Sequence, residues 1–393
     1  MATSLELLKK LLEGKIKFHQ VKDPEIRLRF LEKKLGVFLP NINRSILEEE
    51  KTKPNIENLI GSTQLPLGIA GPIKINGEFT QGEFYLPLST SEGALVASVN
   101  RGCSVINKSG GAETLIIKNE QTRSILFKVN SLKEVNYFLF WLDNNYELLK
   151  KAGEEGENFI EIKGIEPYVV GLNIWLRIKA FTNDAMGMNM ITIAGKKIAE
   201  FIIKNYKIEF IAESGNMCVD KKPSAINLIE GRGKKIIASV NIPTNIIKEK
   251  LRTTSLKLID MNYRKNLLGS AASASLGFNA HFANIIAAMF IATGQDAAHV
   301  VDGSLGFTTV EKSKSGVNFS VTLPDLQVGT IGGGTSLPTQ AECLAILGVQ
   351  GTGNNNSNKL AEIIAVAVLA GEISLLAALC TKDLSSSHQK LNR

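Results

Sequence analysis

Between Arg123 and Glu213 the chain sets out strands and helices in an order that few folds accommodate. "RSILFKV" (123–129) has strand composition, and "SLKEVNYFLFWLDNNYELLKKAG" (131–153) has the apolar spacing of one amphipathic helix. "NFIEIKGIEPYVV" (158–170) and "LNIWLRIKAFT" (172–182) follow as two strands. "AMGMNMITIAGKKIAEFIIKN" (185–205) is then a helix and "KIEFIAE" (207–213) a last strand. The order β-α-β-β-α-β is the ferredoxin-like signature, which closes into a sheet with helices on one face. It predicts a small domain at 124–213, inserted into a larger one.

The flanking sequence supplies that larger domain. Residues 1–53 are helical and lysine-rich, ending in the polar stretch "RSILEEEKTKPN", and are expected to form an N-terminal helical arm. From Asn55 the texture turns to short strand-like pieces punctuated by Gly and Pro, leading into a helix at Glu92. Residues 54–123 therefore open the main domain, and 214–393 complete it with a helical stretch, a break around 266–270, a strand-rich stretch and two further helices. A polar tail from about residue 381 is expected to act as a flap. The fold class expected is α+β, a large mixed α/β domain carrying the inserted ferredoxin-like one, rather than a doubly wound parallel sheet.

Composition narrows the partners. The net charge of +7 is spread through helical segments, with no basic run interleaved with aromatics, which argues against nucleic acid and suits an anionic small substrate. The four cysteines are far apart, with neither a CxxC pair nor histidines at metal spacing, so free thiols and no metal are expected. Residues 269–294 carry no full charge but are rich in Ser, Gly and Ala and include Asn279, His281 and Asn284, the pattern of a buried helix. Glu362 and Glu372 interrupt the apolar segment near the C-terminus. With no signal peptide and no bilayer span legible, a cytoplasmic protein is expected.

Several polar groups sit where ionisation is costly unless paired or functional. Glu92 in "STSEGALVAS" is either a helix-capping glutamate or a functional acid, and Asp296 in "GQDAAH" is either a cap or a site carboxylate. Lys221 and Lys222 in "CVDKKPSA" are either solvated loop lysines or cations whose directions the turn fixes. A lysine among carboxylates keeps its proton and polarises a carbonyl, whereas one in an apolar pocket forms Schiff bases. His388 in "SSSHQKLNR" reads as an exposed tail histidine. "GTIGGGTSLP" offers backbone N–H groups to a phosphate or serves only geometry, "DAMGMNM" starts a Met-rich helix, and no stretch fits G-x-G-x-x-G.

Taken in order, "ENLIGSTQLPLGIAGP", "STSEGALVASVNRGCSVI", "DAMGMNM", "SGNMCVDKKPSAINLIEGRGK", "NAHFANI", "GQDAAH", "GTIGGGTSLPTQ" with "LGVQG", and "GEISLLAAL" before the terminal His resemble hydroxymethylglutaryl-coenzyme A (HMG-CoA) reductases of class I without a membrane anchor. The resemblance covers nearly the whole chain. It implies reduction of HMG-CoA to mevalonate and coenzyme A by two molecules of nicotinamide cofactor. By motif match Glu92 would be the catalytic acid, Lys221 the cation at the developing oxyanion, Asp296 the carboxylate between them, and His388 the acid that protonates the departing thiolate. The substrate would meet Ser98, Asn100, Arg123, Ser214, Asn216, Asp220, Lys222, Lys265, His281 and Asn284. Cofactor binding would fall to Asp184, Met186, Gly187, Met188 and Asn189, with Gly332, Gly333, Gly334 and Thr335. A homodimer or dimer of dimers with the site between subunits is also implied.

Three departures stand out. "GSAASASLGFNAH" is one residue short before its His, and Gln327 stands where the family often has an acidic residue. Where family members place a Ser-Arg pair for the 2′-phosphate of NADPH, this chain has Gly156 and Glu157. An acidic Glu157 would repel that phosphate and accept from a free ribose hydroxyl, which makes NADH use plausible beside the NADPH that the family favours. A Schiff-base enzyme acting through Lys221, and a catalytically inactive binding homologue, are the competing readings.

Overall fold

The computed structural model describes residues 3–157 and 159–381. Its strands are β1 (Leu67–Asn76), β2 (Gln81–Ser89), β3 (Ala112–Lys128), β4 (Glu161–Val170), β5 (Asn173–Phe181), β6 (Glu209–Ala212), β7 (Arg232–Pro243), β8 (Gly277–Phe278), β9 (Gly306–Lys312) and β10 (Gly316–Leu326). The main path runs β2-β1-β3-β7-β10-β9-β8. Pairing is antiparallel except at β1/β3 and β8/β9, so the sheet is mixed and the architecture α/β.

The long strand β3 is the hinge of the design. Its first half pairs with β7 from Glu113 to Glu120, and its second half pairs with β5 from Gln121 to Lys128 and with β6. One continuous strand thus serves two sheets, and the strand expected to begin at Arg123 is the second half of it. The second sheet runs β6-β3-β5-β4, all antiparallel. Its core of Ile125, Phe127, Phe138, Leu176, Ile178, Ile191 and Ile198 is separate from the core of the main sheet. The single helix expected over 131–153 is broken at Asn145 into Leu132–Asn144 and Tyr146–Glu154. Asn145 leaves the helical region at φ −114° and ψ 13°, and its side chain donates to the Trp141 carbonyl; an Asn that bonds its own backbone competes with helix propagation.

On the main sheet lies the helix Asn356–Thr381, with Leu95–Lys108 packed against it. By length and composition the longer helix could cross a bilayer, but it is enclosed within the protein. Gly102 permits the close packing, since a Cβ there would lie 2.0 Å from the Ala370 carbonyl oxygen. Two fully buried glutamates punctuate that helix. Glu362 accepts from the backbone N–H groups of Glu78 and Phe79, and Glu372 from those of Ala280 and His281 and from the Thr308 hydroxyl. The arm helices Ser4–Leu12 and Pro24–Leu35 pack through Leu8, Leu11 and Ile26, and buried Arg27 ties them to Glu49 and the Leu59 carbonyl.

Two helix boundaries differ from expectation. The helix expected at Glu92 starts at Leu95, because Ala94 adopts φ 71°. Where a break was expected around 266–270, the chain stays helical through a π-helical segment, Asn262–Gly269, that carries Lys265. Wide turns of this kind recur at functional sites. All four cysteines are free.

Candidate active site

Chain re-entry from the second sheet is pinned tightly. The Gly215 N–H donates to the Ser124 carbonyl at 2.7 Å, and Trp175 Nε1 donates to the Gly215 carbonyl at 2.6 Å. Beyond it, Asn216, Val219 and Lys221 take φ values of 65°, 47° and 57°. Non-glycine residues, a β-branched valine above all, occupy this region only when their surroundings enforce it. The enforcement is visible: Asn227 Nδ2 donates to the Val219 carbonyl at 3.0 Å and the Lys221 N–H donates to Asp302 Oδ2 at 3.2 Å.

This backbone aims Lys221 Nζ at Asp296 Oδ2, 2.6 Å away, with both side chains part-exposed. Asp296 also accepts the Ala298 N–H at 3.0 Å, so it caps that turn as well as pairing with Lys221. Burial opposes its ionisation, but the bonds from Lys221 and Ala298 outweigh burial and hold the carboxyl below its ordinary range. Lys222 is exposed, its Nζ 3.3 Å from the Asp220 carbonyl. The adjacent lysines are thus accommodated by turning apart.

Beneath the loop lies a network that sequence reasoning missed. Asp220 Oδ1 accepts from Arg232 at 2.8 Å and from His299 Nε2 at 2.9 Å. Burial resists its ionisation, yet the His299 bond and the Arg232 charge prevail, holding Asp220 well below the usual carboxylate range. Asp302 Oδ2 lies 3.6 Å from Arg232. Asn227 bridges Val219, Asp325 Oδ2 at 2.8 Å, and Arg177 of β5. Although Asp220, His299 and Asp302 bring ligand-type atoms within 4.8 Å of one another, the Arg232 guanidinium already supplies their counter-charge, and the set reads as an ion network rather than a metal centre. The spacing Asp296-x-x-His299-x-x-Asp302 was the available signal, three groups on one helical face.

Asp302 yields a testable pH dependence. Burial first, then neighbouring Asp325, push its carboxyl up to about 7, and burial raises Asp325 as well. The folded state therefore holds a proton that the unfolded chain releases near 3.8, the ordinary aspartate value, so unfolding free energy should fall as pH rises from 3.8 to about 7. Asp302→Asn should flatten that dependence in denaturant titrations across this window; an unchanged slope would assign it elsewhere.

The remaining expected site residues sort into groups. Glu92 accepts from Asn284 Nδ2 at 3.3 Å and, lying before its helix, does not cap it; no hydrogen bond or ion pair joins Glu92 to Lys221 or Asp296 among the described residues. His281, its N–H on Glu372 and its Nε2 buried without a partner, precedes the same helix that carries Asn284. Ser98 Oγ donates to Ser374, and Asn100 Oδ1 accepts the Gly71 N–H. Arg123 lies on β3 with a buried, unpartnered Nε, and Ser214 and Asn216 are exposed on the re-entrant loop. Lys265 is half-buried, and His388 lies outside the described residues.

The two glycine-containing loops do meet. Ala185 bridges to Ile331, and the Thr330 N–H donates to the Asp184 carbonyl at 2.8 Å. The Asp184 carboxylate is occupied by the N–H groups of Gly353 and Ser357, where it anchors the start of the Asn356–Thr381 helix. Gly187, at φ 91°, begins the helix Met188–Asn205; a Cβ there would lie 2.4 Å from Thr182. Gln121 Nε2 holds the Met186 carbonyl and Gln327, while Arg232 reaches Met188 Sδ. Asn189 is exposed in the first turn, and Gly332 and Gly333 open to space, with Gly334 and Thr335 in the turn that follows. Glu157 is ion-paired at 3.3 Å with Lys197, whose Nζ also binds the Glu155 carbonyl.

Known proteins resemble this chain along nearly its whole length. A family model described as hydroxymethylglutaryl-coenzyme A reductase matches residues 23–393. Relatives named 3-hydroxy-3-methylglutaryl-coenzyme A reductase include those of Methanocaldococcus jannaschii, 49% identical over 99% of each chain, and Pyrococcus horikoshii, 46% identical over 99% of this chain and 98% of that one. That of Haloferax volcanii is 45% identical over all of both chains. Among solved structures, the class II enzyme of Streptococcus pneumoniae bound to NADPH superposes with a TM-score of 0.69 at 17% identity, covering 94% of this chain and 99% of that one, which is a likeness of fold. The motifs that meet around Lys221 and along the 184–189 loop lie within a match running from residue 23 to the last, and the chain belongs to the hydroxymethylglutaryl-coenzyme A reductase family.

Proposed function

We propose that Lys221, Asp296 and Glu92 carry the reduction of HMG-CoA to mevalonate and coenzyme A, the activity of the family to which the chain belongs. The observation that supports these roles is the 2.6 Å Lys221–Asp296 pair on a loop of enforced positive φ. A cation fixed in this way is preorganised for an oxyanion and has no reorganisation to undergo when the charge develops. Asp296 holds its Nζ in place, and Glu92, oriented by Asn284, is the proton donor to the reduced carbonyl. His388, in the segment after residue 381, is assigned to the coenzyme A sulfur. A thiol of pKa about 8.5 leaves readily, and its protonation prevents re-addition to the aldehyde. An ion-paired ammonium is not a nucleophile, which disfavours the Schiff-base reading of Lys221.

Two molecules of NADPH, bound in turn, would each supply one hydride. The residues present suit it: the Met188–Asn205 helix starts behind Gly187 with no side-chain cap on its first N–H groups, and in the turn that the Ala185–Ile331 bridge ties to it Gly332 and Gly333 leave open space. Met186, Gly187, Met188, Asn189 and the 332–335 turn would hold it, while Asp184 positions the loop. Because Glu157 is engaged by Lys197, its repulsion of a 2′-phosphate is partly neutralised, which keeps NADPH the favoured cofactor with NADH use possible.

The finer architecture belongs to the same proposal. Residues 124–213 form the inserted ferredoxin-like domain, supported by the β6-β3-β5-β4 order, and 1–53 form the arm. The main domain comprises 54–123 and 214–393, and the flap expected from about residue 381 lies outside the described residues. A homodimer or dimer of dimers would cover Leu67, Ile69, Tyr85, Leu115 and Ile117, exposed on β1, β2 and β3, and the protein would act in the cytoplasm. The test is loss of reduced-nicotinamide absorbance on adding HMG-CoA, with NADPH and NADH in parallel. Two cofactors oxidised per coenzyme A released, with NADPH faster, is expected; no oxidation by folded protein would overturn the reading.

A further inference from the structure

His299 is 1% exposed, and both of its ring nitrogens lie among carboxylates. Asp220, held ionised, can only accept, so Nε2 is the donor in their 2.9 Å bond. On the other edge of the ring, Nδ1 is buried without a hydrogen-bond partner, 3.8 Å from Asp296 Oδ2. That oxygen is the one that receives Lys221 Nζ. Few buried polar atoms in native structures stay unsatisfied, and each asks for an explanation. Facing the ring are Asp220 from the re-entrant loop, Arg232 from β7 through its bond to the same Asp220 oxygen, and Asp296 and Asp302 from the ring's own segment, Asp302 Oδ2 at 3.9 Å.

We propose that His299 is a positioning residue for the Lys221–Asp296 pair, anchored through Nε2 on Asp220 and offering an Nδ1–H as a second station for the Asp296 carboxylate. In the resting pair Lys221 Nζ saturates Asp296 Oδ2. When Nζ turns toward a developing oxyanion, Asp296 loses part of that bond. A movement of under about 1 Å brings its oxygen to hydrogen-bond distance of Nδ1. The carboxylate is then neither left unpaired nor free to follow the lysine. With an N–H on each nitrogen the ring spans two carboxylates, Asp220 at 2.9 Å from Nε2 and Asp296 at 3.8 Å from Nδ1. No atom is transferred in this role, and His299 touches no reacting group.

The inference rests on the proposed role of Lys221, so Lys221→Ala is measured beside His299→Gln and His299→Asn. Glutamine reaches the Nε2 position, keeps the donor to Asp220 and offers nothing at Nδ1; asparagine does the reverse. His299→Gln is expected to lower kcat by about tenfold to a hundredfold, the cost of a misplaced catalytic group, with KM for HMG-CoA within about twofold. His299→Asn should keep more of kcat and raise KM, because Asp220 and its loop lose their anchor. Should His299→Gln keep kcat within about twofold of the parent, or both variants lose kcat equally with KM unmoved, the proposal is overturned. If neither variant folds, ¹⁵N signals of the parent's His299 with hydroxymethylglutarate bound decide: two ring N–H groups support it and one overturns it. An active Lys221→Ala would sink the reading of Lys221 itself, whereas an inactive Lys221→Ala beside an unaffected His299→Gln would sink only the role of His299.

Discussion

Lys221→Ala should lower kcat for HMG-CoA-dependent NADPH oxidation by about a hundredfold to a thousandfold, the range measured when one preorganised oxyanion donor is removed. Fold and cofactor binding should be spared. Lys221 meets the network beneath it through its backbone N–H, which alanine retains, and its side chain projects to Asp296 at a part-exposed position. The Met186 and Met188 contacts are made by Gln121 and Arg232, not by the lysine. Nicotinamide fluorescence titration should therefore return an unchanged Kd for NADPH while turnover collapses. Lys221→Arg should recover only part of the loss, because a planar guanidinium cannot offer Asp296 and an oxyanion the same point charge. Loss of cofactor affinity equal to the loss of rate would show that the loop holds the two sites together, and the assignment of Lys221 to the oxyanion would fall.

How much of this was legible in the sequence depends on distance along the chain. The "CVDKKP" loop and the "GQDAAH" segment stood out because charged groups sat in small or apolar context, and the structure joins them at Lys221 and Asp296. Element order along 123–213 was legible from periodicity. The length of β3 was not, since pattern alone cannot tell that Ala112–Lys128 is one strand serving two sheets. Nor was the start of the Leu95–Lys108 helix, which is set by the positive φ of Ala94 rather than by the acid that precedes it. The buried network was hidden for a different reason. Arg232 looks unremarkable inside "EGRGK" until folding brings Asp220, Thr122 and Asp302 around it from three separate segments. Periodicity assigns a residue to a face; it does not name the partner across the interface.

The largest stability effect is expected at Glu372, where Glu372→Ala should cost about 3–5 kcal/mol, the range for breaking a buried charged hydrogen-bond set. The carboxylate is fully buried on the central helix and accepts from Ala280 N–H at 2.9 Å, His281 N–H at 2.7 Å and Thr308 Oγ1 at 2.6 Å. The two backbone donors directly precede the helix Phe282–Thr293, where a negative charge meets the positive end of the helix dipole. Alanine would leave those donors buried with no acceptor, and each such group costs about 1–3 kcal/mol. Against a typical total stability of about 5–15 kcal/mol, the denaturant midpoint should drop sharply. Glu372→Gln keeps the shape and one acceptor oxygen but turns an N–H₂ toward a donor, so its loss should be smaller and of the same sign. That milder variant also reports on function. His281 and Asn284 hang from the helix whose start Glu372 fixes, and Asn284 in turn orients Glu92, whereas Lys221 is held by the separate Asp220–Asp302 network. Glu372→Gln should accordingly raise KM for HMG-CoA and leave Kd for NADPH unchanged; a variant as stable as the parent would mean that water reaches those donors and that the buried glutamate is not what fixes this end of the site.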